Sequence, residues 1–164
     1  MILLGIDPGA TTGWCAYDTD RRVAIAAGEF REHSMDGVHL PDWDVCIQER
    51  PKGYGATRPD VVDAAYVAGR IAEKVSLSDE YAELTRHEVC KLLSDATHGE
   101  VRVKNNATAW AALVLLHGDG SDAKPRRKKG KIVSPGGAIG EVHGHARAAL
   151  AVAVAWWLMR EGQK

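Results

Sequence analysis

A short apolar run that ends on an acid constrains this chain more than any other stretch: Ile2-Leu3-Leu4-Gly5-Ile6, followed by Asp7-Pro8-Gly9. With no polar residue at alternate positions, the run suits a strand covered on both faces of a sheet. A carboxylate closing such a strand is costly to bury unless something pairs with it. Pro8 and Gly9 break the strand, and Gly9 lets a phosphate or a metal come close to the backbone. Thr11 to Gly13 make a turn, and a second strand starts at Trp14. The stretch reads either as a hairpin that presents Asp7 to a divalent metal or as an ordinary Asp-Pro-Gly turn.

The same pattern recurs further on. Val45 to Ile47 are strand-like, Glu49 closes the run and Pro51 ends it. If this strand lies parallel beside the first, Asp7 and Glu49 emerge at one edge of the sheet, where open α/β sheets keep their sites. Two such carboxylates repel unless a cation or proton intervenes. A shared Mg²⁺ is the simplest cation, because it prefers carboxylate oxygens and water. The alternative is that Glu49 pairs with Arg50 or another base at a strand end.

The elements between and after these strands predict an α/β chain. Strands at about 14–18 and 23–30 form a hairpin after the first strand, and a further short strand runs over 80–85. Helices are expected at 61–75, capped by Asp60, at 86–93, and from Asn105 or Asn106 to about Leu116, with Gly118 as the stop. Small residues on the 61–75 helix, Ala64, Ala65, Ala68 and Gly69, permit close packing against the core or a partner helix. The last helix is expected from Val142 or His143 to Met159, nearly all apolar after Ala146 apart from Arg147. Its start gathers Glu141, His143 and His145; if the helix begins early, Glu141 and His145 share a face. Histidine beside carboxylates serves as a metal ligand or general base.

At 164 residues the chain is expected to be one domain with a real core. Its three cysteines, Cys15, Cys46 and Cys90, are odd in number and far apart, which fits buried thiols in a reducing compartment better than a disulfide frame or a zinc site. With no leader and no membrane-length apolar run read from the sequence, a cytoplasmic protein is expected. The net charge of −1 hides an asymmetry. Lys124, Arg126, Arg127, Lys128, Lys129 and Lys131 supply six of 21 basic residues, leaving the rest of the chain at a net −7. The Gly-rich, basic segment 119–140 reads as a linker-like insertion, either a solubilising loop or a surface for nucleic-acid backbone. Lys52, Tyr54 and Arg58 form a second exposed-looking basic loop directly after Glu49, where Tyr54 could stack on a base or lie idle in a turn. Lys104 could reach a phosphate or be solvated.

These residues resemble the RuvC-type Holliday-junction resolvases of the ribonuclease H-like superfamily, particularly their phage-type relatives. The resemblance rests on Gly5-Ile6-Asp7-Pro8-Gly9, on Ile47-Gln48-Glu49-Arg50-Pro51 and on the alanine-rich final helix that begins His143-Gly144-His145, and it spans nearly the whole chain. It implies a mixed five-stranded sheet with three antiparallel strands first and helices on both faces. It also implies a homodimer with the 61–75 helix as seam and a metal-dependent endonuclease that nicks four-way junctions symmetrically. Two Mg²⁺ ions, with Mn²⁺ as a substitute, would be held by Asp7, Glu49 and His145, with Glu141 or His143 adding a ligand. Ala148 stands where the family pattern has an Asp. Three other readings stay open: a phosphate-binding hairpin of actin-like ATPases, for which 164 residues are too few, a RuvC-like nuclease of structured RNA, and a junction-binding protein without nuclease activity.

Overall fold

The computed structural model describes residues 1–31, 37–51, 59–75, 80–118, 126–128, 131–134, 138–140 and 142–162. Five strands make the central sheet: β1 (Ile2–Asp7), β2 (Thr11–Asp18), β3 (Val23–Arg31), β4 (Val45–Arg50) and β5 (Tyr81–Thr85). Their spatial order is β3-β2-β1-β4-β5. The first three strands are antiparallel neighbours, while β4 joins β1, and β5 joins β4, in parallel. The apolar run Ile2–Ile6 therefore takes the central position that its composition demands, with Leu3, Leu4 and Ile6 fully buried.

Helices cover both faces. On one face, α1 (Pro59–Val75) sets Val67, Ile71 and Val75 against Leu4, Ile6 and Cys46. On the other, α2 (Arg86–Ala96), α3 (Asn106–His117) and α4 (Ala146–Glu161) enclose Leu3, Cys15, Tyr17, Val45 and Ile47. The central helix of that layer is α4, buried from Ala148 through Trp156. It lies close enough to the sheet that a Cβ on Gly5 would stand 2.1 Å from the Ala149 carbonyl oxygen, and one on Gly13 2.2 Å from the His145 carbonyl carbon. Glycine at both positions is what admits the helix. Cys15 and Cys46 are buried free thiols, as expected, and Cys90 is half-buried.

Several boundaries differ from the sequence reading. β2 begins at Thr11, because the expected turn residues Thr11–Gly13 all pair with β3, and Gly13 pairs with Asp7 of β1 as well. α1 begins at Pro59, a residue type suited to a helical first turn. α2 runs on to Ala96. α4 begins at Ala146 rather than at Val142 or His143, since Gly144 takes a left-handed φ of 52° that interrupts any earlier helix. The segment 119–140 carries two short antiparallel strands, β6 (Arg126–Lys128) and β7 (Lys131–Ser134), rather than being linker throughout. Among the described residues no helix is long and apolar enough to cross a membrane.

Candidate active site

Parallel pairing of β1 with β4 aligns Ile6 with Gln48, so Asp7 and Glu49 leave the sheet together at the carboxyl ends of their strands. Both are nearly buried, 8% and 9% exposed. The row continues across the sheet: Asp7 pairs with Gly13 on β2, and Gly13 with Glu29 on β3. The start of α4 lies over this row. The Glu29 carboxylate accepts a hydrogen bond from the His145 backbone N–H at the helix entrance, a favourable place for an anion. His145 is thereby held with its Nδ1 4.0 Å from Asp7 Oδ2 and its side chain half exposed.

Of the two expectations for Glu49, a shared cation or a base at a strand end, the structure shows the second: the base is Arg86, which directly follows β5, and Asp7 shares it. The Arg86 Nε donates to Glu49 Oε1 at 3.0 Å, and its Nη2 lies 2.9 Å from Glu49 Oε2 and 3.2 Å from Asp7 Oδ1. Its Nη1 donates to Asn106 Oδ1 at 2.6 Å, at the first residue of α3. Arg86 is placed there by a capping box: Thr85, the last residue of β5, accepts from the Glu88 N–H while the Glu88 carboxylate accepts from the Thr85 N–H. Thr85-x-x-Glu88 is a legible helix start, and it sets Arg86 at the same sheet edge as Glu49. That signal could have found Arg86.

Burial dominates the electrostatics of the pair. It raises the Asp7 pKa, although the Arg86 and His145 charges pull it down. Burial also pushes Glu49 up to about 7; Arg86 opposes this and the Asp7 charge adds to it. Glu49 Oε2 is buried and, despite its proximity to Nη2, has no hydrogen bond of proper geometry. Two buried acids with unmet demand for positive charge suit a hard divalent cation, which needs only one or two protein carboxylates and takes water or phosphate for the rest. Among the described residues no three His, Cys, Asp or Glu side chains converge as a ready-made ligand cluster.

The other expected site residues are placed less centrally. His143 is exposed and lines an open groove with Ala27, Gly28, Glu29, Gly144 and Ala146. Because α4 starts late, the face expected to join Glu141 to His145 does not form, and Glu141 itself lies outside the described residues. Ala148 is buried, one turn past His145, and belongs to neither apolar cluster. Lys104 is exposed, just ahead of the Asn105 cap of α3, and its N–H donates to Thr108 Oγ1. Lys52, Tyr54, Arg58 and Lys129 lie outside the described residues, and Arg126, Arg127 and Lys128 are described only as the backbone of β6.

No family model and no curated protein sequence matches the chain. Solved structures do. A Thermus thermophilus RuvC structure in complex with Holliday junction substrate superposes with a TM-score of 0.59 at 13% identity, covering 99% of this chain and 96% of that one. A second Thermus thermophilus RuvC structure superposes with a TM-score of 0.58 at 17% identity, covering 99% and 97%. The fold is therefore the ribonuclease H-like fold of RuvC over essentially the whole chain.

Proposed function

We propose that this protein is a metal-dependent, structure-selective DNA endonuclease that resolves four-way junctions by paired nicks. The observation that carries the reading is the convergence of two nearly buried carboxylates, Asp7 and Glu49, on adjacent parallel strands of a RuvC-type fold. One of these similar structures holds Holliday junction substrate, which makes a branched DNA the substrate of choice for this chain.

Mg²⁺, or Mn²⁺ in its place, would activate a water and stabilise the leaving oxygen of the cleaved phosphodiester. Asp7 and Glu49 hold the negative charge that attracts the cation. Glu29 anchors the start of α4 and so aims His145 at Asp7, where a neutral imidazole can ligate or accept a proton. Arg86 keeps the two acids together at the sheet edge. Lys104 and the basic segment around 126–131 supply charge for the phosphate backbone.

Symmetric nicking requires two sites related by a two-fold axis, hence a homodimer. The face of α1 turned away from the sheet carries exposed Val62 and Tyr66, and a Cβ added at Gly69 would meet nothing. This stripe is the seam we assign.

The test is incubation of labelled four-way junction, duplex and fork DNA, and of structured RNA, with Mg²⁺ or Mn²⁺. Paired nicks confined to the junction, lost in Asp7→Asn, support the reading. Cleavage of RNA alone would replace it with an RNA nuclease. A second reading is favoured by Ala148 and by the Arg86 bridge: a protein that binds junctions without cutting them. Tight junction binding with no nicks in either metal would establish that reading instead.

A further inference from the structure

The contact between Arg86 and the carboxylate pair goes beyond ordinary helix-end packing. A single nitrogen, Nη2, touches one oxygen of each acid, 3.2 Å from Asp7 Oδ1 and 2.9 Å from Glu49 Oε2. These two oxygens already share one cationic partner, so a divalent ion held by both acids would draw on the same lone pairs. Both cations cannot be served at once. The contact is also built to be undone. The acids are fixed, with side chains 11% exposed, whereas the Arg86 side chain is 36% exposed and has solvent to move into. Displacing the guanidinium means giving up the Nε–Glu49 Oε1 hydrogen bond at 3.0 Å and both Nη2 contacts, a loss that the incoming divalent charge offsets. The opposite arm, Nη1, is held independently on Asn106 Oδ1, so the head group can turn away from the acids without leaving the site.

We propose that Arg86 is an exchangeable counter-ion of the Asp7–Glu49 pair, holding the site assembled in the metal-free protein and giving way when a divalent cation binds. This rests on the metal-site reading above. Arg86 and the metal are then competitors, and metal affinity is set partly by the ease of displacing the guanidinium.

The experiment is direct Mn²⁺ binding without DNA, followed by electron paramagnetic resonance, for the wild type, Arg86→Gln, Arg86→Lys and Asp7→Asn. Arg86→Gln is expected to bind Mn²⁺ about tenfold tighter, because a unit positive charge a few Å from the ion is removed in a partly buried site. Arg86→Lys should fall between it and the wild type, and Asp7→Asn should lose the binding. Mg²⁺ should raise the melting temperature of Arg86→Gln more than that of the wild type, since only the variant lacks a resident counter-ion. Should the variants not fold, the wild type decides: saturating Mg²⁺ must shift the ¹⁵N-detected Arg86 Nε–H resonance. Folded Arg86→Gln with unchanged or weaker Mn²⁺ affinity, or an Arg86 resonance indifferent to Mg²⁺, overturns the exchange while leaving an Asp7-dependent metal site standing. No Asp7-dependent Mn²⁺ binding in any variant overturns both.

Discussion

At the scale of single residues, Asp7 and Glu49 are costly to the fold and valuable to the proposed chemistry. Burial raises both pKa values even with Arg86 beside them. Asp7→Asn and Glu49→Gln are each expected to abolish junction nicking while leaving junction affinity within a fewfold of wild type, as gel-shift and cleavage assays on the same samples would show; wild-type-like nicking by either removes the metal site from these residues. The α4 entrance offers a second handle. A site of Asp7, Glu49 and His145 has only two formal negative charges, and a neutral imidazole offsets none. Ala148→Asp is therefore expected to raise the Mg²⁺-supported rate relative to the Mn²⁺-supported one, and His145→Ala to lower both. An unchanged Mg²⁺ rate in the first together with a harmless second would detach α4 from the chemistry. Away from the site, His117 is a half-buried neutral base. Its Nδ1 lies 2.8 Å from the Leu113 carbonyl, which fixes the proton there and leaves Nε2 to accept from the Tyr17 hydroxyl at 2.9 Å. Burial holds its pKa below the ordinary 6.5. The sign follows: as pH falls below 6.5 the unfolded chain takes up a proton that the folded chain resists, and this contribution to stability is lost. Thermal melts from pH 7.5 to 5.5 should show an acid-side loss that His117→Gln reduces; identical slopes would place the acid sensitivity elsewhere.

At the scale of elements, the position of α4 depends on two atoms that are not there. Gly5 and Gly13 leave β1 and β2 bare beneath the helix, and any Cβ meets helix backbone, which cannot rotate aside. Gly5→Ala is expected to cost about 3 kcal/mol by overpacking, read from urea unfolding. Gly13→Ala should add a functional defect, because its obstacle is the backbone of His145 itself. A stable, fully active Gly13→Ala would mean that the entrance to α4 yields more easily than its contacts with Glu29 and β2 imply. On the opposite face, Tyr66 is 60% exposed on the α1 stripe. If that stripe is the dimer seam, Tyr66→Glu should give a folded monomer in sedimentation, with junction nicks no longer paired.

For the molecule as a whole, charge is divided between an acidic body and one basic segment. Outside Lys124–Lys131 the chain is net −7, so its own field repels DNA, and the DNA binding proposed above would draw on that segment and the few basic residues near the site. Replacing Arg126, Arg127, Lys128 and Lys129 with Ala is expected to weaken binding to every DNA sequence. It should also flatten the log–log salt dependence by about 0.9 for each phosphate no longer neutralised. An unaltered slope would show that the segment stays in solvent.

The central strand and its acid were legible because a run such as Ile2–Ile6 has few ways to be buried, and an acid at the end of each of two such strands leaves few ways to arrange them. Parallel pairing then brings Asp7 and Glu49 together, whatever the loops do. The helices were legible from periodicity, and their ends less so: the Gly144 turn that delays α4 depends on Glu29, more than a hundred residues earlier. Arg86 answers the expectation of a strand-end base for Glu49, but the sequence alone does not pick it out or show that Asp7 shares it. Its capping box was visible, but its partners come from β1, β4 and α3, and only the packing of those elements around one sheet edge decides which charges meet. Local sequence sets the backbone's few allowed forms; the pairing of buried charges is decided by three-dimensional proximity, where desolvation makes each partner matter most.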